Sequence, residues 1–223
     1  TIATRETIPV QVNINELVSK HCAILAMTGA GKSYTTGVLI EEIMKKKGSI
    51  IIFDPHGEYR NIQLENSEVK VYTTEDQNKI RISVNSLSTI DFMNLMPDIT
   101  ETQRDLLEEI INLSEKFYDS YDLETIQSLL GMLYDLKKTK KKDKENIFPA
   151  EILESMSKKV GITTIGALMR RITRLNRMKL FEMQGTSIKE IIKRNQLTII
   201  DLSDADERIS EAIVSAISRK IFS

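Results

Sequence analysis

Apolar residues along the chain fall into two rhythms. Three short unbroken runs, HCAILA (21–26), SIIIFD (49–54) and LTIIDL (197–202), are the pattern of parallel strands covered on both faces. Between the first two, Val38, Leu39 and Ile43 recur at helical spacing, which predicts a helix over 33–47. Gly48 is placed to stop that helix, and Lys45, Lys46 and Lys47 suit its negative end. Strand, glycine turn, helix and strand thus predict a βαβ unit in the first 54 residues. Two shorter strands are predicted at 69–72 and 80–84, separated by the polar stretch TTEDQNK.

From about Leu87 to Phe181 the rhythm is helical. Leu106, Leu107, Ile110, Ile111 and Leu113 share one side of a helix that Thr100 and Gln103 open with a capping box. Asp122 is placed to cap the next helix, whose stripe runs Ile126, Leu129, Leu130, Leu133 and Leu136. A polar interruption, KKTKKKDKEN (137–146), follows, and Pro149 is predicted at a first helical position. Beyond 181 come a short helix, IKEIIKR, with Asn195 near its end, then the 197–202 strand. An amphipathic helix over 205–222 closes the pattern, with Ile209, Ile213, Ile217 and Ile221 at spacing four. The division this predicts is an α/β core begun by 1–86, a helical insertion at 87–181, and the core resumed at 182–223. No internal repeat is present.

Composition changes this picture little. Of 223 residues, 41% are hydrophobic and 28% charged, as in ordinary globular proteins. A formal net charge of −1 gives no global argument for nucleic acid or an acidic membrane, so any such surface is local. One cysteine, Cys22, excludes an internal disulfide framework and fits a reducing, cytoplasmic setting. The unbroken apolar runs fall far below the ~20 residues that span a bilayer, so no membrane segment is expected.

The chemistry lies in two stretches. AMTGAGKSY (26–34) satisfies the phosphate-loop pattern GxxxxGK[ST] except that Ala26 stands at the first position. In such a loop, backbone N–H groups turn inward around an anion; Thr28, Gly29, Ala30, Gly31, Lys32, Ser33 and Tyr34 are therefore the candidate nucleotide-binding residues. Lys32 supplies a point charge for the β- and γ-phosphates of ATP, and Ser33 a hydroxyl for Mg²⁺. The second stretch is IIIFDPHGEY (50–59). Asp54, at the end of its strand, is placed to hold a Mg²⁺-bound water, and Glu58 to orient an attacking water or pair with a basic group. The plainer reading makes Asp54 and His56 turn residues ahead of Gly57.

KHCAILAMTGAGKS followed by IIIFDPHGEY, with LTIIDLS and an amphipathic helix later, resembles the HerA branch of the HerA/FtsK group of DNA-pumping ATPases. The resemblance implies a RecA-like P-loop NTPase core with a mostly parallel sheet. It also implies ATP and Mg²⁺ at Lys32, Ser33 and Asp54, a hexameric homo-oligomer ring around double-stranded DNA, and a NurA-type partner nuclease in DNA-end resection. The family's N-terminal β-barrel, its strand ending in two acidic residues and its intersubunit arginine have no identified counterpart, so the chain reads as truncated before its catalytic strand. Asp201 is read as a strand-end or cap residue. Arg170, Arg174 and Arg177, with Arg171 beside them, form either a phosphate- or subunit-contacting stripe or the solvated face of an amphipathic helix. The lysine run at 137–144 reads as a mobile loop. Two other functions fit part of the text. DPHG (54–57) also matches the DxxG of a GTPase-like switch, though no NKxD follows, and the arginine helix could serve as the lid of a small-molecule kinase.

Overall fold

A computed structural model describes residues 11–75, 77–139 and 149–222. In chain order the elements are α1 (Ile14–Ser19), α2 (Lys32–Lys45), β1 (Ser49–Asp54), β2 (Glu68–Tyr72), β3 (Ile82–Ser83), α3 (Thr89–Leu95), α4 (Glu101–Phe117) and α5 (Leu123–Thr139). They continue with α6 (Ala150–Lys159), α7 (Ile162–Arg177), β4 (Phe181–Glu182), α8 (Ile188–Ile191), β5 (Gln196–Asp201) and α9 (Glu207–Phe222).

Three strands form a parallel sheet in the order β1-β5-β2, with Ser49 opposite Gln196 and Asp54 opposite Asp201. All six residues of β5 are buried, as a central strand between two layers requires. Side chains alternate across the sheet. On one face, Leu197 and Ile199 pack with Ile50, Ile52 and the α2 residues Ile40 and Met44. On the other, Ile200, Ile51 and Phe53 join a large core with Ile213, Ala216 and Ile217 of α9. Parity therefore puts Asp54 and Asp201 on the α2 face, the face from which the glycine loop springs.

The helical insertion packs along the stripes predicted for it. Leu106, Leu107 and Ile110 of α4, Ile126, Leu129 and Leu130 of α5, and Ile165, Leu168 and Ile172 of α7 are almost wholly buried in the same core. The Thr100–Gln103 capping box forms, and Asp122 accepts the N–H of Thr125 at 2.8 Å. The insertion is closed by β3 and β4, a parallel pair that joins Ile82 to Phe181.

Four expectations are corrected. Residues 21–26 form no strand: they have no ladder partner among the described residues, and Leu25 is 91% exposed, whereas a strand is held by its neighbours. The predicted βαβ unit is thus represented by α2 and β1 alone, preceded by the unpredicted α1, which Asn13 caps. Helix α2 ends at Lys45 with Lys46 as its C-cap, and the left-handed residue that follows is Lys47 at φ 59°, not Gly48. The 80–84 strand shrinks to two residues because the chain turns into a 3₁₀ segment at Val84. Pro149 stands one position before its predicted place, as the N-cap of α6.

Candidate functional site

The glycine loop reaches α2 through two left-handed residues, Gly29 at φ 78° and Gly31 at φ 90°, the latter being the helix N-cap. A side chain at either would be strained, so glycine is required by the backbone path. Ala30 closes the turn by donating its N–H to the carbonyl of Met27 at 3.0 Å. Lys32 is the first residue of α2, and Ser33 and Tyr34 follow in its first turn, where backbone N–H groups lack intrahelical acceptors and the helix dipole favours an anion. Lys32 is exposed, and Tyr34 projects into solvent at 80% exposure. The hydroxyls of Thr35 and Thr36 turn back onto the carbonyls of Gly31 and Lys32.

The second stretch meets the first here. The Ser33 hydroxyl donates to the Glu58 carboxylate. That bond, reinforced by the charges of Lys32 and His56, holds the Glu58 carboxyl below the ordinary carboxylate range. Asp54 is buried, with one oxygen accepting the N–H of His56 at 3.3 Å and the other that of Tyr59 at 2.8 Å. It braces the turn that carries Glu58, the arrangement of the plainer reading. Among the described residues no group of three or more His, Cys, Asp or Glu could cage a metal. A hydroxyl beside a carboxylate and a phosphate loop still fits Mg²⁺, which takes few protein ligands and keeps phosphate oxygens and water around itself.

Asp201 combines a cap with an ion pair. One oxygen accepts the N–H of Ser203 at 3.0 Å and its hydroxyl at 2.7 Å, and the other faces the Arg60 Nε at 2.8 Å. Arg60 was not singled out by the sequence; a partner 141 positions away leaves no periodic or motif signal near it. The arginine stripe is placed as its spacing predicted. Arg170, Arg174 and Arg177 are exposed, opposite buried Ile165, Leu168, Ile172 and Leu175, while half-buried Arg171 donates to the Asp98 carbonyl at 2.6 Å. Of the lysine run, Lys137 and Lys138 end α5, and residues 140–148 lie outside the described residues.

A cavity of about 880 Å³ lies away from this site, beside the edge of β2. Two ion pairs line it, Lys70 with Glu190 at 3.1 Å and Arg81 with Glu182 at 3.0 Å. A more apolar hollow of about 710 Å³, lined by Phe53, Pro55, His56, Leu202 and Val214, lies on the α9 side of the ends of β1 and β5. No helix among the described residues is long and apolar enough to cross a membrane.

A parallel sheet under a glycine loop that opens a helix defines an α/β core of the RecA-like P-loop NTPase class, here carrying a helical insertion. The chain belongs to the family described as "Helicase HerA, central domain", which matches residues 1–221. It is 29% identical to a probable helicase of Methanocaldococcus jannaschii, over 99% of this chain and 40% of that relative. It is 28% identical to the DNA double-strand break repair helicase HerA of Pyrococcus furiosus, over 100% of this chain and 40% of that protein. The chain thus spans about two fifths of the length of these curated relatives. Among solved structures it is similar to VirB4 of Thermoanaerobacter pseudethanolicus, with a TM-score of 0.48 and 18% identity, covering 88% of this chain and 54% of that one.

Proposed function

We propose that this chain is the ATP-binding core of a motor that hydrolyses ATP to move along double-stranded DNA. The observation that carries the reading is the hydrogen bond from Ser33 to Glu58, which joins the glycine loop to the DPHGEY turn at the start of α2. In this reading the backbone from Thr28 to Tyr34 cradles the phosphates and Lys32 neutralises the β- and γ-oxygens. Ser33 would hold Mg²⁺, whose charge would support the transferring phosphoryl group. Glu58 orients the attacking water, and Asp54 keeps the turn in shape, with a contact to a metal-bound water as its second assignment. Catalysis of this kind is positioning and charge stabilisation.

The working division is an ATPase core of 1–86 and 182–223 with the helical insertion at 87–181. The likeness to relatives such as the P. furiosus DNA double-strand break repair helicase supports the choice of DNA as partner. A hexameric ring, action at DNA ends and a NurA-type nuclease complete the proposal. The test is Lys32→Ala, with nucleotide titration and turnover measured with and without duplex DNA. ATP affinity is expected to fall about 100-fold, as for truncation of one partner of a close charge pair, and DNA-stimulated turnover to vanish. Unchanged ATP affinity, or a preference for GTP in the parent chain, overturns the reading.

A further inference from the structure

The turn that carries Glu58 is fixed at both ends. At its start, Asp54 takes the N–H groups of His56 and Tyr59. At its far end, Arg60 crosses to the loop after β5, with Nε 2.8 Å from Asp201 and Nη2 3.7 Å from Asp204. Between them, Gly57 lies at φ 68° against Ser203; a Cβ there would come within 3.1 Å of the Ser203 hydroxyl oxygen. Glu58 is next in the chain, and its carboxylate reaches Ser33.

The Arg60 anchor differs from an ordinary surface ion pair. The Asp201 side chain is only 1% exposed, and its other oxygen is already held by Ser203. A buried carboxylate keeps a cation firmly, because removing that cation leaves a charge without solvent. Asp201 also closes β5, the central strand of the sheet, so the anchor stands on an element buried along its whole length.

We propose that Arg60 is a positioning residue of the nucleotide site, holding the 54–60 turn on Asp201 and Asp204 so that the Glu58 carboxylate stays against the Ser33 hydroxyl. The proposal rests on the reading of Ser33 as the Mg²⁺ residue. A merely structural Arg60 would neutralise Asp201 and have no bearing on how Mg²⁺ strengthens ATP binding. A positioning Arg60 acts only through Glu58.

The experiment is a double-mutant cycle of Arg60→Ala and Glu58→Ala, reading the gain in affinity for a fluorescent ATP analogue when Mg²⁺ replaces EDTA. Each single variant is expected to cut that gain about 10-fold, the scale on which a group behind a metal ligand acts. The double variant should cut it no further than Glu58→Ala alone, and Arg60→Lys, which keeps a cation opposite Asp201, should recover most of it. Losses that multiply in the double variant, or an Arg60→Ala that matches the parent, overturn the proposal. If Arg60→Ala does not fold, Arg60→Gln carries the same cycle. Lys32→Ala serves as control. ATP affinity surviving that change sinks the nucleotide site itself, whereas its loss beside a multiplying cycle sinks the role of Arg60 alone.

Discussion

The helical insertion and the glycine-loop end of the sheet are built on opposite principles. In the insertion, Ile110, Ile126, Leu130, Ile165 and Leu168 have no measurable exposure and share one continuous core. At the loop, residues 25–32 are exposed throughout, and the backbone is shaped by two left-handed glycines and the bond from Ala30 to Met27. Burial gives one region its stability; the other region keeps its polar groups open, as an anion site must. Substitutions should therefore separate cleanly between the two.

The largest separation is expected from Leu130→Ala. Removing a fully buried leucine from α5, where it packs beside α7, should lower unfolding free energy by about 2–5 kcal/mol. ATP affinity of the folded fraction should stay at the parent value. Lys32→Ala should do the reverse, weakening ATP binding as above with the denaturant midpoint unmoved, because Lys32 is exposed and its side chain packs into neither hydrophobic cluster. Chemical denaturation paired with nucleotide titration reads both. A Leu130→Ala that weakens ATP binding at full folding would show that the insertion and the loop form one mechanical unit.

The same contrast explains what was legible in the sequence. Stripes with a buried face announce themselves, so β1 and α4 match their predicted runs, as does the buried side of α7. The capping box at Thr100 and the cap at Asp122 were legible because their partners lie three residues away. HCAILA carries a strand's composition, but composition does not supply the neighbour a strand needs. The β3–β4 pair and the bridge from Arg60 to Asp201 join residues 99 or more positions apart, and no local pattern encodes such meetings. At the site, the motif gave Lys32 and Ser33 their candidacy. It left Glu58 a choice of partners, and the fold adds the Ser33 hydroxyl.

A smaller effect tests the seam between the regions. Asp91 of α3, at the start of the insertion, accepts from the N–H and hydroxyl of Ser88 at 2.6 and 2.7 Å, and Arg219 of α9 reaches the same carboxylate. Burial pushes the Asp91 carboxyl up, but the Ser88 bonds and the Arg219 charge outweigh it and hold the group below its ordinary value. A folded-state value below the unfolded one adds stability that is present above the unfolded value, near pH 3.8. That stability is lost as pH falls from there through the folded-state value. With Arg219 45% exposed, the contribution is on the order of 1 kcal/mol. Unfolding curves from neutral pH to pH 3 should therefore show a steeper acid loss for the parent than for Asp91→Asn. Parallel losses would remove the pair from the account of how α9 holds the insertion.

The smallest effect is expected where the insertion meets solvent. Arg170 and Arg174 stand opposite the buried stripe of α7, on the side that contributes nothing to the core. As a solvated face, the pair should tolerate Arg170→Glu with Arg174→Glu at a cost within about 0.5 kcal/mol. Duplex-DNA affinity and assembly should stay unchanged across a salt series. A surface that touches phosphates behaves otherwise, because each contact releases counterions and its loss lowers the slope of log affinity against log salt by about one. A fall in slope of about two, with stability untouched, would move this face of α7 to the functional side of the contrast. The insertion would then be an apolar core that carries a DNA-contacting surface, and stability and function would divide by helix face, not by region.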